Sequence, residues 1–449
     1  MTELLPALAK FVVEAPLEPD NQVRNTVRDS VIDALGCILA GARTGPAKAA
    51  RAAVRAMAAE GPCQVIGTTM RTSRPQAAFL NAVAGHALDF DDWEIPGNTH
   101  PTVVILPAVL SSANPATTGS DIVQAYLAGF EVIARLGEAL NFEHYDQGWH
   151  STATLGTIGA AAAVARLKKL AVETTTNALS LAVSMASGYT CQFGTSAKPL
   201  QAGFAARAGV ETAHLAAAGL TAKAHVLDHP RGMAALMANA DPDRLQFACQ
   251  KLGKRLALSE YGIVLKPWPS CGYTHRMMTC ILDLRDRLDT GAIEKIELFL
   301  PDFHARVLPF QQPKSRNEAL FSLPFVAAMG LLRGNLTLTD LNDEPWRSRQ
   351  IQGLIELAET HPFEPLYPSQ NYSEDDADRI VVHLKGGVNL EGQCAYPLGA
   401  PQRPMTSEQL WQKFSANAGP VAETWWERLR AWPECGNILA LFTDTGLNR

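Results

Sequence analysis

The stretch VRNTVRDSVIDALGCIL, residues 23–39, is where the fold class is decided. Val23, Val27, Val31, Ile32, Leu35 and Ile38 recur at three- and four-residue intervals, so a helix gathers them on one face. Gly41, just beyond, reads as its stop. Working outward, the first 260 residues keep this helical texture. Small residues are dense from Gly156 to Ala165, from Ala178 to Ala186 and from Ala202 to Ala218, so neighbouring helices can approach closely and fill a core between them. The glycines within Thr152 to Gly159 would weaken an isolated helix, and tertiary packing has to support that segment.

The texture changes near Lys266. Ile296, Leu298 and Leu300 alternate with Glu297 and Phe299, which predicts a half-buried strand. Arg379 to Leu390 reads as a hairpin turning through Lys385, Gly386 and Gly387. Between these, Leu320 to Leu332 has a helical period, and Asn342 to Leu357 is expected to add another helix. From Thr406 to Leu441 the chain returns to helix, with Thr406 and Gln409 spaced as a capping box and Trp411, Phe414, Trp425 and Leu429 as apolar positions. The expected architecture is mainly α: a large all-helical domain from residues 1–265 plus 401–449, with a smaller α/β lid domain, 266–400, inserted.

The chain has 449 residues, 47% hydrophobic and 19% charged, enough to bury a large core without disulfide staples. No run approaches the ~20 apolar residues of a membrane span. Met1-Thr2-Glu3 does not begin a signal peptide, so a cytoplasmic protein is expected. The eight cysteines form no C-x-x-C pair and read as reduced, mostly buried thiols. A net charge of −6 without a basic block gives no sign of nucleic acid binding. Neither G-x-G-x-x-G nor G-x-x-x-x-G-K-[ST] occurs, nor H-E-x-x-H, an EF-hand loop or G-x-S-x-G. Any chemistry therefore falls to ordinary titratable side chains.

Four polar clusters interrupt apolar surroundings. The first runs from His86 through Asp89, Asp91 and Asp92 to Asn98, Thr99 and His100. Three carboxylates within four residues repel unless a cation or hydrogen-bond donors stand nearby. A metal site, a carboxylate that orients a histidine, and a solvated helix end are the readings, and the second fits better than a metal because an Asp fixes an imidazole tautomer. The second cluster holds Tyr145, Gly148, Trp149 and His150 ahead of an alanine-rich helix, whose positive end favours a neutral ring and attracts carboxylates. The third is Gly194-Thr-Ser-Ala-Lys198-Pro-Leu, where Lys198 is either a surface lysine or a buried amine able to act as a general base. The fourth, KPWPSCGYTH at 266–275, is a rigid connector. Either it is merely solvated, or Lys266 holds a substrate carboxylate and His275 opens the next helix. Cys271 is the weakest candidate, because no neighbouring acid–base pattern accompanies it.

Together the segments HALDFDD (86–92) and THP (99–101), GWHST (148–152), GTSAKPLQAG (194–203) with Ala205 and Ala206, KPWPSCGYTH, and Phe321–Phe325 with Leu331–Gly334 resemble the MmgE/PrpD family over nearly the whole chain. That family includes 2-methylcitrate dehydratase, cis-aconitate decarboxylase and iminodisuccinate epimerase. The resemblance implies a homodimer, no required cofactor, no assigned metal, and a small polycarboxylate substrate. Its active-site positions match here as Asp89, His100, His150, Lys198, Lys266 and His275, with His86 and Thr99 as neighbours. Three departures stand out. Trp93 replaces a threonine and the loop to His100 is one residue longer, Gln201 replaces a histidine, and Phe325 replaces a tyrosine. Loss of that phenol removes one acid for a departing hydroxide, so a dehydratase is less favoured.

The expected activity is an epimerase acting on a dicarboxylate such as iminodisuccinate. Lys198 would serve one face, and His150 or Tyr145 the other. A phenol of ordinary pKa ~10 needs a cationic neighbour to act as a base. Lys266, His275 and His100 would hold carboxylates and stabilise developing charge, with His86, Thr99 and Gln201 as further substrate-binding neighbours. A citrate-type dehydratase, a decarboxylase and a non-catalytic carboxylate binder are the competing readings.

Overall fold

The structure, a computed structural model, describes residues 4–240, 242–368 and 370–442. The described chain divides into two compact units, one of residues 4–87, 91–263 and 407–442, the other of 88–90 and 264–406.

In the first unit the 23–39 pattern lies within α1 (Asn21–Gly41), and its six apolar positions are all buried. The Asp20 side chain caps the helix by accepting from the Val23 N–H at 2.9 Å. Gly41 is the last helical residue rather than a stop beyond it. It is small for a packing reason: a Cβ there would fall 1.8 Å from the Ala84 carbonyl oxygen on α2 (Arg74–His86). Further helices follow: α3 (Thr102–Ser112), α4 (Gly119–Leu140), α5 (Ser151–Leu167) and α6 (Ala197–Ala217). The predicted small-residue core joins four of them. Ala78 and Ala82, Val104 and Ala108, Ala160 and Val164, and Ala202, Ala206 and Val210 pack together fully buried. Each alanine methyl contributes only about 0.8 kcal/mol through burial, so this core depends on many close approaches rather than a few large side chains.

The unit is not wholly helical. Cys63–Gln64 (β1) and Arg71–Thr72 (β2) pair antiparallel, each too short to leave a period in the sequence. Helix Ser407–Ala418 begins just after Thr406, and its Lys413 forms a buried ion pair with Asp33 of α1. Helix Ala422–Arg430 follows, but from there to Phe442 the described residues make only short 3-10 turns where continuing helix was predicted.

The second unit carries α7 (His275–Leu284), β3 (Ile293–Pro301), α8 (Leu323–Arg333), α9 (Arg349–Glu356), β4 (Ala358–Phe363), β5 (Asp378–Leu384) and β6 (Val388–Cys394). The sheet order is β4-β3-β5-β6, with β3 and β4 parallel and the other pairs antiparallel. The strand predicted around Ile296 is β3, where Ile296, Leu298 and Leu300 point inward. The predicted hairpin is β5–β6. A single helix over Asn342 to Leu357 is overturned. Glu344 has φ +49, Pro345–Arg347 is a 3-10 turn, and α9 starts only at Arg349. Pro345 explains the break, since its ring disfavours helical geometry in the residue before it and supplies no N–H. Inside this unit Arg276 of α7 pairs with Asp378 at the start of β5, both buried. No helix among the described residues is long and apolar enough to cross a membrane.

Candidate active site

The first unit gathers its polar side chains from helix ends. His86 is the last residue of α2, His100 lies two residues before α3, and His150 caps α5. Lys198 and Gln201 lie in the first turns of α6, both buried.

Asp91 is the hub. Its Oδ2 lies 2.8 Å from His86 Nδ1 and 3.1 Å from His100 Nδ1. His100 Nδ1 is also 2.8 Å from the Asp92 carbonyl oxygen, which only accepts, so this nitrogen carries a proton. The two imidazole rings meet edge to face, 4.5 Å between centroids. His86 Nε2 and Asp91 Oδ1 are buried without a hydrogen-bond partner among the described residues. Burial by itself would raise the Asp91 pKa, but the two histidines beside it outweigh that and hold it well below the usual carboxylate range. Asp92 behaves oppositely. Burial pushes its pKa well above that range even though the Thr102 hydroxyl donates to it. The two neighbouring carboxyls are thus shifted in opposite directions, one by its histidines and the other by burial.

His150 Nδ1 lies 2.6 Å from Gln201 Oε1. The Gln201 amide nitrogen donates to the Tyr189 carbonyl at 3.2 Å, so the oxygen is the atom turned to the imidazole. Nδ1 is therefore protonated and Nε2 is the basic nitrogen of the neutral ring. Burial, then the nearby His86 and Lys198, lower the His150 pKa well below its ordinary value. Lys198 Nζ sits 5.1 Å from the centre of the Phe193 ring, whose face meets the His150 edge-on at 5.0 Å. A neutral imidazole and a buried lysine thus pack against one aromatic ring. Gln201→Leu is expected to strand the His150 N–H, costing about 1–3 kcal/mol of stability. A thermal unfolding midpoint unchanged from the parent would contradict this geometry.

Tyr145 lies partly buried on the one-turn helix Glu143–Asp146, and its carbonyl accepts from Gly148 N–H. Thr99 turns its hydroxyl to Glu94 Oε1 at 2.7 Å.

In the second unit Lys266 Nζ donates to Asp89 Oδ1 at 2.7 Å and to its carbonyl oxygen at 3.0 Å, with both residues buried. Lys266→Met is expected to destabilise the protein by about 3–5 kcal/mol, because Asp89 would become a buried carboxylate without its cation. An unfolding midpoint within about 2 °C of the parent would refute that. His275 opens α7, with Nε2 3.4 Å from Ser270 Oγ and its ring against Trp268. Phe325 is buried in the core of this unit, edge to face with Trp346. Cys271 is buried as well.

The carboxylate on the paired histidines is Asp91, whereas the sequence had singled out Asp89. His86 closes a helix and Asp91 follows five residues later in irregular chain, so no periodic rule links them. Proximity in sequence to two histidines was the only signal. As metal ligands, His86, Asp91 and His100 lie close enough together to share an ion. Their nitrogens, however, already meet the carboxylate at ordinary hydrogen-bond lengths. Glu297, Glu359 and His361 in the second unit are also mutually close, but the Lys295 ammonium already bridges the two carboxylates at 3.1 and 2.9 Å.

Comparison with known proteins gives a consistent picture. The profile described as MmgE/PrpD N-terminal domain matches residues 6–246, and the MmgE/PrpD C-terminal domain profile matches residues 268–431. Cis-aconitate decarboxylase of Mus musculus is 31% identical over 77% of this chain and 72% of its own length. The Homo sapiens protein of the same name is 31% identical, with 77% and 73% covered. That of Aspergillus terreus is 24% identical, with 88% and 84% covered.

Proposed function

The chain belongs to the MmgE/PrpD family, and from that premise we propose an acid–base enzyme that makes and reprotonates a carbanion beside a carboxylate of a small polycarboxylate. The observation that carries this reading is that a neutral His150, its tautomer set by Gln201, and the buried Lys198 both pack against the Phe193 ring.

The first reading is epimerisation of a dicarboxylate such as iminodisuccinate. One base takes the α-proton as the C–H bond breaks, and the electron pair delocalises into the adjoining carboxylate. An acid then returns a proton to the opposite face. Lys198 is assigned to one face and His150 Nε2 to the other, with Tyr145 as the alternative to His150. His100, presented by Asp91, supplies positive charge toward the developing enediolate. Dehydration is the less favoured reading on the resemblance alone, since Phe325 stands where the family has a tyrosine and its ring carries no acid for a leaving hydroxide.

The second reading is decarboxylation of an unsaturated tricarboxylate, favoured by the similarity to cis-aconitate decarboxylases. There the C–C bond to a carboxylate breaks, carbon dioxide leaves with that carbon, and the same acid protonates the carbanion. Proton NMR in deuterated water separates these readings. Single stereoisomers of iminodisuccinate should lose the α-proton signal and scramble under the first reading. Cis-aconitate should yield carbon dioxide and a deuterated product under the second. Inertness toward these substrates and toward 2-methylcitrate would remove the proposal.

A further inference from the structure

The resemblance marks Trp93 and the loop to His100 as departures from the family pattern, and the structure shows what they do locally. The strap from Trp93 to Thr99 runs from Asp92 to His100. The buried Trp93 donates its indole N–H to Asn98 Oδ1 at 2.7 Å. Asn98 has φ +51, in the left-handed region that Asn tolerates better than most residues. Glu94 closes the strap on itself: its N–H donates to the Thr99 carbonyl, and its carboxylate accepts from Gly97 N–H at 2.9 Å and the Thr99 hydroxyl at 2.7 Å. Asn141, just past α4, donates its amide to the carbonyls of Pro96 and Gly97. The strap also lies hard against α4, since a Cβ on Gly137 would fall 2.3 Å from Gly97 Cα. His100 then follows at once, its N–H donating to Thr152 Oγ1 and its ring facing Asp91.

The other contacts described above reach the strap through its backbone or through Glu94. Trp93 to Asn98 joins side chains across the strap, as Glu94 to Thr99 does, and of the contacts above it is the one that holds the side chain of the residue with the unusual backbone. We propose that Trp93 is a positioning residue: its hydrogen bond to Asn98 holds the strap in the conformation that presents His100 to Asp91. The inference rests on the proposed acid–base function for its kinetic readout, but His100 placement is measured without any substrate. Misplacing a catalytic group by about 1 Å costs up to about 100-fold in rate, so partial loosening of the strap should cost less.

Trp93→Phe keeps the ring and removes the donor. Asn98→Gly keeps the left-handed backbone and removes the acceptor. Each is expected to lower kcat about tenfold with KM within about twofold, and the double variant should be no worse than the more affected single one, because both remove the same bond. In 15N NMR of histidine-labelled protein, the His100 ring resonances, assigned with His100→Gln, should shift in both single variants. A lower unfolding temperature with unchanged kcat and unchanged His100 resonances would mean Trp93 is only a core residue, and the proposal falls. Additive losses in the double variant would overturn it too. If no polycarboxylate turns over in the parent protein, the acid–base reading fails, and the His100 resonances alone then decide the role of Trp93.

Discussion

Alanine at position 198 should lower α-proton exchange about a thousandfold, within the 10²–10⁴ range of a general acid or base. The Lys198 side chain is buried beside Phe193 rather than spread on the surface, so its loss is a loss to the site. Folding should survive. Lys198 is one of the charges that depress the His150 pKa, so removing it relieves a like-charge burden, and the His150 titration should move upward. Arginine at 198 separates charge from proton transfer, since it keeps the cation but does not give up its proton in proteins. Lys198→Arg should therefore stay nearly as poor as alanine if the amine exchanges protons, and recover most activity if only its charge matters. The measurement is deuterium incorporation at the α-carbon followed by NMR. Exchange within a few-fold of the parent in the alanine variant would end the assignment of Lys198 as a base.

The helical half of the fold was legible because its signals are local. Val23 to Ile38 keep one face by period alone, and the alanine-rich stretches announce close packing. Gly41 shows where that legibility stops, since the sequence presents a helix terminator and only the neighbouring Ala84 carbonyl reveals a packing constraint. Strand β3 and the β5–β6 hairpin were readable from alternation and from Gly386 and Gly387. Strand β4 was not. Ala358–Phe363 contains Glu359, His361 and Pro362 with no apolar alternation, and it exists because it pairs with β3 at the sheet edge, where a proline is tolerated. Pro345 was visible and should have cut the helix drawn through it. The site shows the same division. Residue types and segments were legible, but partners were not. Asp89 and Asp91 are two positions apart and chemically identical, yet one is neutralised by Lys266 from 177 residues away and the other holds two histidines. Nothing in a single sequence ranks them.

That difference gives Asp91→Asn the second large effect. The amide keeps the shape but offers one acceptor and one donor where the carboxylate offered acceptors only. Both imidazole N–H groups meet the same Oδ2, and the amide oxygen can take that place, so what the rings lose is the anion beside them and the strength of a charge-assisted bond. Activity is expected to fall about 10³- to 10⁴-fold, as when an orienting carboxylate is removed from a histidine-based site. The stability loss should stay below the about 3–5 kcal/mol of a stranded buried charge, because an imidazole can release its proton. The pH dependence tests the cause. The Asp91 pKa is depressed in the folded protein, so its contribution is fully present above the unfolded value of about 3.9 and is lost as pH falls through the folded one. The gap in unfolding temperature between parent and Asp91→Asn should therefore be widest at neutral pH and narrow on acidification below about pH 4. A gap that stays constant from neutral pH into that range would mean the carboxylate charge does not hold the histidines. Near-parental turnover would show that their orientation is set by something other than Asp91.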